Sequence, residues 1–406
     1  MYYHSHTMVN GLRLIHLPSD SPVAYCGFAI RAGARDEQPG EEGLAHFVEH
    51  LLFKGTRRRR AWHILNRMEA VGGELNAYTS KEETFIYSVF LAGDFERAVE
   101  LMSDLIVNSQ FPQREMEKER MVVLDEICSY RDNPSELIVD EFEDMLFAGH
   151  PLGHSIPGNR KTLFSLRRES CFSFVTRYYT APDMVFVSTG RMDFRRIMRL
   201  SEKYFSDIPK QASVRDGGKL PASPPRQAVK RKRTHQTHVM TGGTAYDMFD
   251  SRQTTLLLLN DILGGQGMNS RLNVSLRERH GLVYTVESSV SAYTDTGSFS
   301  IYFGADPKHV EQARHLVEKE LRGLRENKLS DTRLSAARKQ AVGQAGVAGD
   351  NRENLFLGMG KSFLHRNRYD SPEEVFRKIN AVTATQLRDV ANEIFDPARI
   401  STLIYV

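Results

Sequence analysis

The chain has 406 residues, enough for about two to four domains with real cores, which excludes a peptide or mini-protein. Hydrophobic residues make up 40% and charged residues 26%, with 29 Gly and 15 Pro; this is the composition of a folded protein, not a disordered or fibrous one. A net charge of +3 falls short of the basic footprint of a nucleic-acid or anionic-membrane binder, so neither partner is expected.

Cys26, Cys128 and Cys171 are odd in number, far apart and free of C-x-x-C spacing. Neither a disulfide framework nor a cysteine metal knuckle follows, and a reducing compartment fits best. The N-terminal MYYHSHTMVNGLRLIHL lacks the basic-then-apolar order of a signal peptide, and no stretch approaches about 18 uninterrupted apolar residues. The expectation is a cytoplasmic protein, neither secreted nor membrane-spanning, although a matured organellar chain would look the same.

In chain order, the strand-like VAYCGFAIRAGARD (23–36) precedes a helical pattern over 44–53. GELNAYT (73–79) and Phe85 to Phe90 read as an antiparallel hairpin. Asp94 is a plausible N-cap for a helix carrying Phe95, Ala98, Val99, Met102, Leu105 and Ile106, and Ser135 for one carrying Leu137, Ile138, Phe142, Met145 and Leu146. Periodicity is lost over 215–235, which gathers Gly, Pro, Ser and the KRKR run and reads as a linker with solvated charge. Beyond it, at a constant offset of 215, Ala292, Tyr293, Thr294, Ile301, Tyr302, Glu311, Ala313 and Leu316 repeat Ala77, Tyr78, Thr79, Ile86, Tyr87, Glu96, Ala98 and Leu101; at an offset near 211, 237–247 lies over 23–36. The predicted fold is α+β: two homologous units, 1–214 and 236–406, each a sheet covered by helices on one side.

The chemistry concentrates in GLAHFVEHLLFKG (43–55). On a helix, Leu44, Phe47, Val48, Leu51 and Leu52 share one side, while His46, Glu49 and His50 share the opposite one. Imidazoles at i and i+4 can bind one metal ion, with the carboxylate at i+3 placed to take a proton from a water held there. An isolated histidine pair of this spacing is equally compatible with ordinary surface residues, so a third ligand decides. In EMEKERMVVLDEICSY (115–130), Glu119 and Glu126 fall on one stripe with Met116, Val122, Val123 and Tyr130, otherwise a core face. Buried carboxylates need a positive partner. Glu126 is therefore assigned as third ligand and Glu119 as the group orienting a histidine ligand. Asp125 points about 100° away.

His46-Phe-Val-Glu49-His50 followed by Glu126, 76 positions after His50, resembles the inverted zinc-peptidase signature of the pitrilysin family, which includes insulin-degrading enzyme and the mitochondrial processing peptidase. The likeness runs through HFVEHLLFKGT and GGELNAYTSKEET and extends over essentially the whole chain. It implies a zinc endopeptidase with one Zn2+ per chain, a clamshell whose first half is catalytic and whose second half closes over short unstructured peptides, and a homodimer. At the helix corresponding to 44–53, Leu257, Asn260 and Asp261 stand where His46, Glu49 and His50 do in the first half, so the second half is expected to be non-catalytic. Arg277 and Tyr284, in LRERHGLVY, resemble the family's pair that reaches the substrate and the reacting carbonyl. By the same resemblance, residues 73–79 are the edge strand that adds the substrate as an extra strand, with Asn76 and Ala77 as contacts and Gly72 and Gly73 admitting another backbone. Family members also include non-catalytic scaffolds, which lose the metal signature, and processing peptidases with defined cleavage sites.

Three features are discounted. His150 and His154 in HPLGHSIPG cannot share a helix face, because Pro151, Gly153 and Pro157 break it. GGQG (264–267) lacks the Lys-Ser/Thr of a phosphate loop and reads as a helix end. Trp62 and RRRR (57–60) read as a solvated turn.

Overall fold

The computed structural model describes residues 3–215, 220, 224–232 and 234–406. In chain order its strands and helices are β1 (His4–Thr7), β2 (Arg13–Pro18), β3 (Val23–Ile30), α1 (Leu44–Leu52), α2 (Ala61–Glu69), β4 (Glu74–Thr79) and β5 (Thr84–Leu91). Then follow α3 (Phe95–Asn108), α4 (Gln113–Asp132), α5 (Pro134–Leu146), α6 (Arg160–Ser165), α7 (Arg168–Tyr178), β6 (Met184–Gly190) and α8 (Phe194–Phe205). The remainder comprises β7 (Gln227–Lys230), β8 (Thr237–Ala245), α9 (Gln253–Gly264), β9 (Val283–Ala292), β10 (Gly297–Ala305), α10 (Val310–Glu326), α11 (Asp331–Asp350), α12 (Arg352–Arg366), α13 (Pro372–Ala381), α14 (Ala384–Ile394) and β11 (Ser401–Tyr405).

The α+β class and the duplication hold. One sheet has the order β1-β2-β6-β3-β5-β4 and the other β7-β11-β8-β10-β9. Apart from β1 the two orders superpose, and each contains one parallel pair at the same place, β2 with β6 and β7 with β11. The predicted hairpin forms, with Asn76 opposite Tyr87 and Ala77 opposite Ile86, and the repeat carries its counterpart, with Ser298 opposite Ser291.

The compact units do not follow the predicted boundaries. One comprises the chain through Cys128, the stretch beginning at His154, and Gly349–Ser371; the other comprises Ser129–Gly153, the middle of the chain through Ala348, and Pro372–Val406. Each sheet is consequently covered on both faces, not on one as expected. On the first sheet, Phe28, Ile86 and Phe186 meet the apolar sides of α1, α3, α7 and α8, while Ile15, Ala29, Phe85, Tyr87 and Val187 on the reverse face meet Phe356, Met359, Phe363 and Leu364 of α12. Arg13 Nη1 donates to the last carbonyls of that helix, Phe363 O at 3.1 Å and Leu364 O at 3.2 Å, supplying the partners that a helix C-terminus leaves unmade. The second sheet repeats the arrangement: Ile138, Phe142 and Leu146 of α5 cover Met240, Tyr302, Leu403 and Tyr405. A strand buried on both faces reads as a continuous apolar run, and FAI (28–30) and MVFV (184–187) do.

Several local expectations change. Residues 216–219, 221–223 and 233 of the 215–235 segment lie outside those described, but β7 forms inside it, because backbone pairing with β11 requires no apolar alternation. Lys230 and Lys232 of the KRKR run are not merely solvated, since both reach Glu141, at 2.6 and 2.9 Å; Arg233 is not described. The cap of α5 is Asn133, with Pro134 at the first helical position, not Ser135. Arg59 of the RRRR turn is no free charge, because it donates to Glu100 and to the buried Asp104. GGQG does end a helix: Gly265 is the C-cap of α9. Among the described residues, no helix is long and apolar enough to cross a membrane.

Candidate metal centre

Helix α1 carries the predicted two-sided pattern. Leu44, Phe47, Val48, Leu51 and Leu52 are fully buried against the first sheet, and His46, Glu49 and His50 emerge on the other side. Helix α4 brings Glu126 to them. His46 Nε2 lies 3.5 Å from Glu126 Oε1, and His50 Nε2 lies 3.6 Å from Glu126 Oε2. These separations are too long for good hydrogen bonds. They end on different oxygens of Glu126, one facing each imidazole, and lie close to the about 3.4 Å that separates donors held about 2.1 Å from one ion at tetrahedral angles. His46, His50 and Glu126 are the only such cluster among the described residues, and their ligand atoms all lie within 4.8 Å of one another. Two imidazoles and a carboxylate form the donor set of a catalytic zinc site with one position left open.

The electrostatics suit a cation. Burial, reinforced by His50, pushes the His46 pKa down to about 3, which keeps this imidazole neutral and its lone pair available. Burial raises the Glu126 carboxyl above its ordinary value, so a positive neighbour is needed to favour its charged form. For His50, burial acts downward, but the carboxylates of Glu119, Glu49 and Glu126 outweigh it and raise the pKa. Glu119 Oε2 accepts from His50 Nδ1 at 3.1 Å, and Glu119 Oε1 pairs with Lys54 Nζ at 2.7 Å. That bond assigns the proton to Nδ1 and turns Nε2 towards Glu126.

Glu49 lies beside this cluster without joining it. Its Oε2 accepts the hydroxyl proton of Thr79 at 2.6 Å, leaving its second oxygen for other work. Burial raises the Glu49 carboxyl above the ordinary carboxylate range, partly offset by Thr79. The Thr79 hydroxyl went unassigned in the sequence. The signal was there, since alternation along β4 places Leu75, Ala77 and Thr79 on the face that packs towards α1. Lys54 was also missed, although it stands four residues after His50.

Asn76 and Ala77 are half-buried on β4, which is the edge strand of its sheet. The adjoining glycines have another purpose than the expected one. Gly72 turns the chain at φ +71°, and a Cβ on Gly73 would stand 2.9 Å from Val89 O, so the approaching backbone is β5 of the same sheet. The stripe on α4 is likewise only half a core: Met116, Glu119 and Val123 are buried, but Val122 is 50% and Tyr130 40% exposed. Arg277 lies in a π-helical turn, Asn273–Glu278, and its guanidinium stands 5.9 Å from the ring of Tyr284. Tyr284 is 80% exposed, which rules out a core packing role for it. In the second unit Asn260 Nδ2 donates to Ser288 O and Leu257 faces solvent, so the position matching the metal site carries structural groups.

With this geometry in place, comparisons with known proteins bear on it. The family profile "Insulinase (Peptidase family M16)" matches residues 14–160, the span holding His46, Glu49, His50 and Glu126, and "Peptidase M16 inactive domain" matches residues 165–341. A protein of Rickettsia bellii named "Uncharacterized zinc protease" is 32% identical over 403 residues, covering 97% of this chain and 95% of its own. Another, "Uncharacterized zinc protease YmxG" of Bacillus subtilis, is 30% identical over 392 residues, covering 96% and 95%. Among solved structures, a peptidase M16 inactive domain from Pseudomonas fluorescens has a TM-score of 0.93 at 18% identity, covering 100% of this chain and 98% of its own. A protease from Helicobacter pylori has a TM-score of 0.91 at 21% identity, covering 100% and 99%. These two bear on the fold.

Proposed function

Because this chain belongs to peptidase family M16, the insulinase family, and gathers His46, His50 and Glu126 in one unit, we propose that it is a zinc-dependent endopeptidase acting on short, unstructured peptides. The observation that carries the reading is that one ligand atom each from His46, His50 and Glu126 lies within 4.8 Å of the others, with Glu49 next to them and outside the ligand set.

His46, His50 and Glu126 would hold the zinc. A zinc ion there supplies Lewis-acid polarisation of the scissile carbonyl and makes water a stronger acid near neutral pH. The protein's own part is positional and proton-handling. Strand β4 offers an unpaired edge to an extended peptide, which binds by backbone hydrogen bonds with Asn76 and Ala77 beside it, a mode that favours unfolded segments. Glu49, with Oε2 fixed by Thr79, accepts a proton from the attacking water at its other oxygen and returns it to the leaving amide nitrogen. Glu119 fixes the His50 ring. Arg277 and Tyr284 keep the substrate-contact role that the family resemblance assigns them, with the Tyr284 phenol as a donor towards developing negative charge. The proposal includes an enclosed chamber, a homodimer and a cytoplasmic location, the second tested by light scattering.

The decisive experiment is cleavage of a fluorogenic unstructured peptide by the purified chain beside Glu49→Gln, with zinc content measured in both. Active wild type and a zinc-loaded variant slowed by about 10²-fold or more support the proposal. Equal rates remove Glu49 from the mechanism. Inertness of both with zinc bound favours the non-catalytic scaffold.

A further inference from the structure

The two histidine ligands are held differently. His50 is oriented through its ring by Glu119, whereas His46 Nδ1 is buried with no hydrogen-bond partner among the described residues. Ligating histidines almost always have such a partner on the second nitrogen. The direction of the His46 ring therefore depends on its burial and on where the backbone places it. That backbone is the first turn of α1, the weakest part of any helix, because its N–H groups have no intrahelical acceptor. Gly43, the N-cap, has no side chain to supply one.

The missing acceptor comes from seven residues upstream of the helix. Glu37 Oε2 accepts from Gly43 N at 3.0 Å and Oε1 from Ala45 N at 2.7 Å, so one buried carboxylate ties the two residues that flank Leu44 and ends next to His46. A carboxylate there also meets the positive end of the helix dipole. Glu37 is held in turn by His154, whose Nε2 stands 2.8 Å from Glu37 Oε2. His154 belongs to the HPLGHSIPG segment, which the metal site does not use. Its carbonyl accepts from Lys81 Nζ at 2.7 Å. The same segment presses on the start of the helix: a Cβ on Gly158 would lie 2.2 Å from Glu42 O, and one on Gly43 would lie 2.6 Å from Pro157 O. Both glycines have positive φ, +69° and +96°, so the close approach is built on backbone that other residues rarely adopt.

We infer that Glu37 and His154 are positioning residues for the metal centre, forming a clamp on the first turn of α1 that aims His46 in place of a ring hydrogen bond. The inference rests on the zinc reading above and concerns how the site is held, not what it cleaves.

The test compares full-length wild type with Glu37→Gln, His154→Asn and the double variant, reading the zinc dissociation constant by chelator competition and the visible spectrum of the cobalt(II)-substituted protein. Thermal melts run alongside. Each single change is expected to weaken zinc about ten- to hundred-fold and to alter the cobalt bands, as loss of ligand support does elsewhere. The double variant should lose little more than the worse single, because the pair acts as one unit. Should Glu37→Gln fail to fold, His154→Asn decides alone, its side chain being partly exposed. Unchanged zinc affinity and cobalt spectrum, whatever the melting temperature, would reduce the clamp to a structural role and overturn the inference while sparing the zinc reading. A wild type that binds no zinc, or keeps it in His46→Ala, overturns both.

Discussion

Glu119 serves His50 and Lys54 at once, with Oε2 3.1 Å from the His50 Nδ1 and Oε1 2.7 Å from the Lys54 ammonium. Burial would raise its carboxyl, but these two partners hold it below the ordinary range. Glu119→Gln should therefore retain the fold and weaken zinc about ten- to hundred-fold, since the amide neither anchors the imidazole as firmly nor neutralises Lys54. Chelator competition measures this. An unaltered dissociation constant would remove Glu119 from the site.

Thr79 is bonded to Glu49, the proposed general base, and not to His46, His50 or Glu126. Thr79→Val deletes the 2.6 Å bond to Glu49 at nearly constant volume. A hydrogen bond to a charged group contributes about 1.5–3 kcal/mol, so kcat should fall by about ten- to hundred-fold while zinc content stays at one per chain. Thr79→Ser should recover most of the rate. A drop in KM without a drop in kcat would speak against this placement.

Tyr284 is exposed, so Tyr284→Phe should change stability by less than about 0.5 kcal/mol. If its phenol acts as a donor to the reacting carbonyl, kcat should fall by up to about 10²-fold with zinc retained. Denaturant titration and steady-state kinetics on one preparation separate the two effects. Wild-type kcat in the variant would return Tyr284 to the surface.

Glu83 gives the first unit a dependence on acid. Burial alone would raise its carboxyl, but His365, at 3.2 Å, and Lys361, at 2.6 Å, hold it down to about 2. The folded value lies below the unfolded one, so the stabilisation is complete above about pH 4.5 and is lost as pH falls from there towards 2. Urea unfolding of wild type and Glu83→Gln should show a gap that is constant above about pH 5 and closes through this window. A gap that widened on acidification would contradict the assignment.

Phe356 lies fully buried against the rings of Tyr25 and Tyr87, at 5.7 and 5.6 Å, although it is about 330 and about 270 residues further along the chain than they are. Phe356→Ala should cost about 3–5 kcal/mol. Hydrogen exchange should show lost protection in β3 and β5 ahead of β8 and β10. The opposite order would mean that α12 does not belong to the first sheet.

How much of this was legible beforehand follows from the range of each interaction. The face of α1 that carries His46, Glu49 and His50, the hairpins and the repeat at an offset of 215 are all set by contacts within a few residues or by copying of letters, and periodicity exposes them directly. Glu126 could be named because two carboxylates on a half-apolar stripe require a cation. The same reasoning mistook Val122 and Tyr130 for core, because one helix offers no information about which part of its stripe a neighbour covers.

The amino-acid sequence by itself determined the α+β class, the duplicated unit and the choice of His46, His50 and Glu126 on α1 and α4 as a candidate cluster, since these depend on local spacing and residue chemistry. Only the tertiary structure decided that α5 and α12 are exchanged between the two sheets, that Thr79 takes hold of Glu49, and that Glu37 and His154 brace the start of α1. The reason is physical: a helix with an apolar face is satisfied by any sheet of matching shape, and a lone Thr, Glu or His carries no periodic signal. Which partner each one meets is settled only when the whole chain has been packed.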